Sequence, residues 1–285
     1  MSARLSTVVR TAREYYNSDD ADNFYNSIWG GEDIHIGLYT AADEDIRSAS
    51  ERTVATMAAR LEGLDAQARV VDLGAGYGGA ARWLARTAGC HVTCVNLSEI
   101  QNARNRELTQ AAGLAERIDV FDASFEDVPA PDASFDIAWS QDSILHSGDR
   151  PRVLAEIDRV VRPGGEVVFT DPMQADACPP GVLDAVLERI HLDSLASFEF
   201  YRTQAARLGW EEISVEDLTE HLVRHYSRVR QELLERRESL RAQVSAQYID
   251  RMIQGLTHWI LAGESGHLAW GILHFRKPGA PTLAA

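Results

Sequence analysis

The stretch "VVDLGAGYGGAARWLA", residues 70–85, joins two kinds of pattern. An apolar, β-branched run ends at Leu73, glycines follow at Gly74 and Gly76, and a second pair, Gly78 and Gly79, opens an amphipathic segment. A strand that passes through such a turn into a helix brings backbone N–H groups and bare Cα atoms up to a ligand. Similar apolar runs recur outward from it, at 91–97, 117–123, 135–140 and 166–172. Between the last two, "PRVLAEIDRVV" places Val153, Leu154, Ile157, Val160 and Val161 on one stripe, and "RPGG" stops it. Alternation of this kind predicts an α/β fold, a doubly wound and mostly parallel sheet with crossover helices.

After Pro172 the rhythm changes. Residues 180–208 read as two helices, "EEISVEDL" as a sixth strand, 218–262 as long charged helices with an apolar stripe, and "HLAWGILHFRKP" as a final strand. The chain divides into an N-terminal helical cap (1–62), a ligand-binding core (63–173), a helical lid and substrate region that includes the sixth strand (174–262), and the last strand with its tail (263–285).

A chain of 285 residues can bury one substantial core with a smaller subdomain attached. No apolar run reaches the roughly 20 residues of a membrane helix, and the N-terminus lacks the continuous apolar centre of a secretory leader, so no membrane partner and a cytoplasmic location are expected. The formal charge of -15 argues against nucleic acid, whose binding rests on Lys and Arg neutralising phosphate. A small-molecule partner fits better, with the chain as monomer or homodimer. Cys90, Cys94 and Cys178 cannot all pair and read as reduced thiols. His221 and His225 stand four apart in "HLVRH", but in so charged a helix they read as a solvated face, and no metal is expected.

Asp72 lies two residues before Gly74. Against the pyrophosphate of a dinucleotide that acid would be unfavourable; against the ammonium of an amino-acid moiety it is well matched. The turn therefore favours S-adenosylmethionine over NAD. At the second strand's end Asn96 stands where an acid commonly holds the ribose hydroxyls, with Gln101 a turn later, and Ser124 and Phe125 offer an edge and a face to adenine. In "SQDSILHSGD" (140–149), Asp142 and His146 would share a face if a helical turn began after Gln141, and the carboxylate would orient the imidazole as a base. An NAD-dependent oxidoreductase and a catalytically silent sensor are the rival classes. Asp72 and Asn96 speak against the first, and His146 with the aromatic N-terminus against the second.

"WGGEDIHIGLY", "VVDLGAGYGG", "NLSEIQNARNR", "WSQDSILHSGDR", "RPGGEVVFTDPMQAD" and "RIHLDSLASFEFYR" together resemble the sarcosine/dimethylglycine N-methyltransferases of glycine betaine synthesis. The resemblance covers roughly residues 14–210 and thins out beyond. It implies a class I, Rossmann-like methyltransferase fold with a seven-stranded sheet, and S-adenosylmethionine as cofactor, leaving as S-adenosylhomocysteine. Gly37, Asp72, Gly74, Ala75, Gly76, Asn96, Leu97, Gln101, Ser124, Phe125 and Gln141 would then line the cofactor, Tyr16 or its neighbour Tyr15 would close over the methyl group, and His146 with Asp142 would be catalytic. A dimethylglycine or sarcosine substrate calls for aromatic walls and a carboxylate clamp. Tyr25, Trp29 and Tyr201 are candidate walls, Arg202 a candidate clamp, and Met173 and Gln174 candidate contacts at the fifth strand's end; Arg189 reads as a solvated charge. The phosphoethanolamine methyltransferases are a more distant likeness and the alternative reading.

Overall fold

The computed structural model describes residues 17, 19–29, 31–190 and 192–279. Two helices, α1 (Asp19–Ile28) and α2 (Ile46–Ala58), precede the sheet. The core then alternates as β1 (Arg69–Leu73), α3 (Gly79–Ala88), β2 (His91–Asn96), α4 (Glu99–Ala111), β3 (Ile118–Asp122), β4 (Phe135–Gln141), α5 (Arg150–Val160) and β5 (Val161–Thr170). A two-residue strand β6 (Met173–Gln174) leads to α6 (Asp184–Ile190), α7 (Phe198–Arg207) and β7 (Glu211–Asp217). The long helices α8 (Thr219–Glu235) and α10 (Ala246–Glu264), with the short α9 (Arg237–Leu240) between them, come before β8 (Leu268–Ala269) and β9 (Gly271–Arg276).

The main sheet has seven strands in the order β3-β2-β1-β4-β5-β9-β7. β1 to β5 pair in parallel, while β9 runs antiparallel to both of its neighbours. From β1 the chain winds one way through β2 to β3, and from β4 the other way to β5. The divergence opens a crevice above the carboxyl ends of β1 and β4, the place where open α/β sheets bind ligands. Pairing of Asp72 with Trp139 brings the Gly74 turn and the turn after Gln141 to that one spot.

Each crossover follows from local sequence. Gly78 caps α3 with a φ of 76°, the helix buries Ala81, Leu84 and Ala85 against the sheet, and Gly89 ends it at a φ of 73°. Ser98 caps α4 by accepting from Gln101 N, and Asp149 caps α5 by accepting from Arg152 N. β5 departs from expectation by beginning at Val161 rather than Glu166: Gly164 N donates to Lys277 O, which extends the strand through "RPGG". The final strand is broken in two. Trp270 lies between β8, which pairs with β6 in a separate ribbon, and β9 in the main sheet.

Phe24, Tyr25 and Trp29 of the N-terminal segment share one core with Leu222, Tyr226 and Val229 of α8 and Ile249, Met252, Leu256 and Trp259 of α10. The N-terminal segment and the helices after β7 thus pack as one helical layer, which takes in Tyr77 and Leu145 of the turns after β1 and β4. Among the described residues no helix is long and apolar enough to cross a membrane.

Candidate active site

The glycine turn is shaped by what a side chain would hit. Gly74 holds a φ of 79°, and a Cβ there would lie 2.3 Å from the Cβ and Oγ of Ser143. That serine donates to Leu73 O at 2.7 Å and pairs with Ser140 Oγ, locking the end of β1 to the turn after β4. Gly76 and Gly78 are also left-handed, and a Cβ on Gly79 would meet Asp33 Oδ1 at 2.2 Å. Gly74 and Gly78 take glycine for conformation and close approach together, Gly76 for conformation and Gly79 for close approach.

Asp72, 3 % exposed, faces this turn with an Oδ2 that has no hydrogen-bond partner. Burial pushes its pKa up to about 7, with the His35 charge opposing and that of Asp33 adding. Across the crevice Gln141 accepts from Trp139 Nε1 through its Oε1, while its buried Nε2 has no partner. An unmet acceptor and an unmet donor at the strand ends fit the amino-acid end of S-adenosylmethionine, whose ammonium and carboxylate need one of each. At the end of β2, Asn96 Nδ2 donates to Gln101 Oε1 and Asn102 Oδ1, both at 3.1 Å, and Asn102 donates to Asp122. An amide network thus occupies the expected ribose position, beside half-buried Leu97 and Ala75. Ser124 Oγ accepts from Glu126 N, and the buried Phe125 ring reaches to 3.8 Å of the Cβ position at Gly74. The expected cofactor residues of β1 to β4 therefore gather at one crevice.

The turn after β4 is not the expected α-turn. Asp142 adopts a φ of 50°, and a 3-10 turn covers Ile144–His146. Asp142 Oδ2 accepts from Ile36 N at 2.6 Å and Oδ1 from Trp270 Nε1 at 2.7 Å, so this carboxylate is committed to the cap and to Trp270 rather than to aiming His146. The turn that carries His146 is held from another side: Leu145 N donates to the buried Asp171, whose other oxygen accepts from Tyr201 OH. Burial first, then the charges of Arg150 and Arg189, push the pKa of His146 down to about 4. It is a neutral imidazole at pH 7 and a weak reservoir for a proton.

The substrate candidates separate. Tyr25 and Trp29 are buried with ring centroids 5.3 Å apart, in a cluster that includes His225 and Tyr226. Tyr201, expected as a wall, is wholly buried beneath β5 and supports the His146 turn through Asp171. Met173 is likewise core, and half-buried Gln174 donates its backbone N–H to Ala196 O. Arg202 pairs with Glu212 on the outer face, both side chains close to half exposed. Arg189 is not a solvated charge: it lies across α10 so closely that a Cβ on Gly255 would sit 2.1 Å from its Cδ. A glycine amid the helical pattern "IQGLTHW" was the sequence signal for that contact. Tyr15 and Tyr16 lie outside the described residues.

His221 and His225 also depart from expectation. They turn inward, His225 wholly buried, and each accepts a backbone N–H from the Gly37–Tyr39 segment through Nδ1. Among the described residues no group of three or more His, Cys, Asp or Glu side chains is arranged to hold a metal ion.

A parallel-stranded α/β sheet with a glycine turn, a buried acid before it and an unmet donor and acceptor at the switch point defines an S-adenosylmethionine-dependent methyltransferase, and the Methyltransferase domain family model matches residues 71–169. The chain is 54% identical over 275 residues to the sarcosine/dimethylglycine N-methyltransferase of Aphanothece halophytica, covering 96% of this chain and 99% of that one. It is 55% identical over 271 residues to the glycine/sarcosine/dimethylglycine N-methyltransferase of Actinopolyspora halophila, covering 95% of this chain but spanning 48% of that longer protein. A crystal structure from Galdieria sulphuraria, assigned as a sarcosine dimethylglycine methyltransferase, superposes with a TM-score of 0.88 at 42% identity, covering 93% of this chain and 100% of that chain. A Haemonchus contortus phosphoethanolamine N-methyltransferase, at 20% identity over 98% of this chain and 61% of that one, shares the fold with a TM-score of 0.83. The chain belongs to the sarcosine/dimethylglycine N-methyltransferase family.

Proposed function

We propose that this chain methylates dimethylglycine, and sarcosine before it, to give glycine betaine. The observation that most supports the substrate assignment is the likeness, over nearly the whole chain, to a sarcosine/dimethylglycine N-methyltransferase, and the surroundings of His146 agree with it: a buried, neutral imidazole whose pKa the charges of Arg150 and Arg189 help to lower. Arg150 is spent on Ser194 and on Leu145 O, so Arg189 and the imidazole N–H are the groups that would receive a carboxylate, with the amine end left toward the cofactor. Bound S-adenosylmethionine supplies a methyl group activated on a sulfonium centre. The residues supply position. Asp72 and Gln141 fix the amino-acid end of the cofactor, the Arg189 side fixes the substrate carboxylate, and Tyr25 and Trp29 offer ring faces to the methylated nitrogen, each such face worth about 0.5–2 kcal/mol. The nitrogen lone pair forms the new N–C bond as the C–S pair returns to sulfur. A tertiary amine that attacks as the free base has no proton to lose, so a His146 held near pKa 4 serves better as donor to the carboxylate than as base.

The test is a side-by-side assay of glycine, sarcosine, dimethylglycine and phosphoethanolamine across pH. Dimethylglycine is expected to be methylated and glycine poorly. The dimethylglycine rate should climb toward an amine pKa of about 10, in the native chain and in His146→Ala alike. Turnover of phosphoethanolamine with none of the glycines would overturn the proposal.

A further inference from the structure

Residues 36–39 have no regular secondary structure, yet each of their amides reaches a side chain, that of Leu38 being shared with Ala49 O of α2. Ile36 N donates to Asp142 Oδ2 at 2.6 Å, Gly37 N to His225 Nδ1 at 3.2 Å, Leu38 N to Thr53 Oγ1 at 3.0 Å and Tyr39 N to His221 Nδ1 at 3.0 Å. The partners come from the turn after β4, from α2 and twice from α8, so the segment is a strap laced to three separate elements. Its packing is equally close: a Cβ on Gly37 would lie 2.6 Å from Ala49 Cβ.

The two histidines must be neutral to do this. A ring nitrogen that accepts an amide proton is itself unprotonated, which puts the ring's proton on Nε2. Burial enforces that state, pushing His225 down to about 3 and His221 down as well. Tyr39 OH lies 3.0 Å from the same His225 Nδ1, so one acceptor gathers two parts of the strap.

The front of the strap abuts the cofactor turn. Ile34 Cδ1 lies 3.5 Å from the Cβ position at Gly76, and Asp33 Oδ1 lies 2.2 Å from that at Gly79. We infer that His225, with His221 in support, is a positioning residue for the cofactor: α8 sets the strap, and the strap sets Asp33 and Ile34 against the glycine turn and Ile36 against Asp142. His225 acts through Gly37 rather than on the cofactor itself. The helical layer and the cofactor site are thereby mechanically one unit.

The inference rests on the cofactor assignment, and its test reads binding directly. S-adenosylmethionine is titrated calorimetrically into the native chain, His225→Leu and His225→Asn, with melting temperature, KM and kcat measured on each. Asparagine keeps an acceptor oxygen close to where Nδ1 sits; leucine keeps bulk only. The leucine variant should bind the cofactor about 10-fold more weakly and show a matching rise in its KM, with kcat within about twofold, and asparagine should restore most of the loss. Native binding in a folded His225→Leu chain would overturn the inference. So would an asparagine variant as weak as the leucine one at equal melting temperature, which marks a packing role alone. If His225→Leu does not fold, His221→Leu against His221→Asn carries the same comparison with the same two outcomes. Failure of the native chain to bind the cofactor would instead sink the cofactor assignment.

Discussion

Asp72 shows how one buried carboxyl ties chemistry to pH. Its ordinary pKa near 3.9 rises to about 7 because burial penalises the charged form more than His35 relieves it. Between roughly pH 4 and 7 the folded chain therefore holds a proton here that the unfolded chain has lost, and as pH climbs through that window this group's contribution to stability falls. Cofactor binding runs the other way, because an ammonium is attracted only by the carboxylate. Below about pH 7 binding must expel the proton, so the dissociation constant should rise by up to tenfold per unit as pH falls, with the tightest binding between about pH 7 and the point near 8 where the cofactor's own α-amino group begins to lose its charge. Asp72→Asn should bind more weakly at pH 8 and lose this slope. Calorimetry from pH 5.5 to 8.5 checks both points, and a slope that survives in the asparagine variant would place the titrating group elsewhere.

At the scale of elements, α6 and α10 meet where Arg189 crosses Gly255. Alanine is intrinsically better than glycine inside a helix by about 1 kcal/mol, so Gly255→Ala alone would be expected to stabilise. Here the added methyl takes the place of the Arg189 Cδ, and the guanidinium must move. We expect little net change in melting temperature, a raised KM for dimethylglycine and unchanged cofactor affinity; a raised cofactor constant instead would show that Arg189 does not serve the substrate end. The same contact shows what sequence could convey. The strands of the core and the glycine turn were legible because they are runs of local pattern, Asp72 and Asn96 were proposed from their place at strand ends, and Gln141 from the family resemblance. Arg189, His221 and His225 were misread as solvated, because their burial is created by segments far away in the chain: Gly255 beneath the arginine, and Gly37 and Tyr39 against the histidines. Asp142 was seen as functional but given the wrong partners, since neither Ile36 nor Trp270 is near it in sequence. The β6–β8 ribbon, two residues a strand, carries too little periodicity to read.

Over the whole molecule the charge is lopsided, 43 acids against 28 bases, of which only Lys277 is a lysine. Arginine's planar fork suits the bidentate and multiple contacts seen at Arg52, Arg82 and Arg159. Many other pairs are exposed, such as Arg47 with Glu51 at 63% and 50% and Arg241 with Glu238 at 47% and 77%, and pairs of this kind contribute about 0–1 kcal/mol each. Salt screens these attractions and the repulsion among the unmatched acids together. The balance is set by which is larger. With a formal charge of -15, the repulsive excess extends over the surface, and it acts at separations that a screening length of about 10 Å at 0.1 M already shortens. The close exposed pairs lose less, because their charges sit within hydrogen-bond distance. Raising salt from about 10 mM to about 0.5 M at pH 7 should therefore raise the melting temperature, on the order of 2–4 °C for each kcal/mol of repulsion relieved, and the gain should flatten once the screening length falls below the spacing of neighbouring acids. A scan in sodium chloride at fixed pH measures this directly. A melting temperature that falls with salt would mean that the arginine pairs, and not the acid excess, govern the electrostatics of the fold.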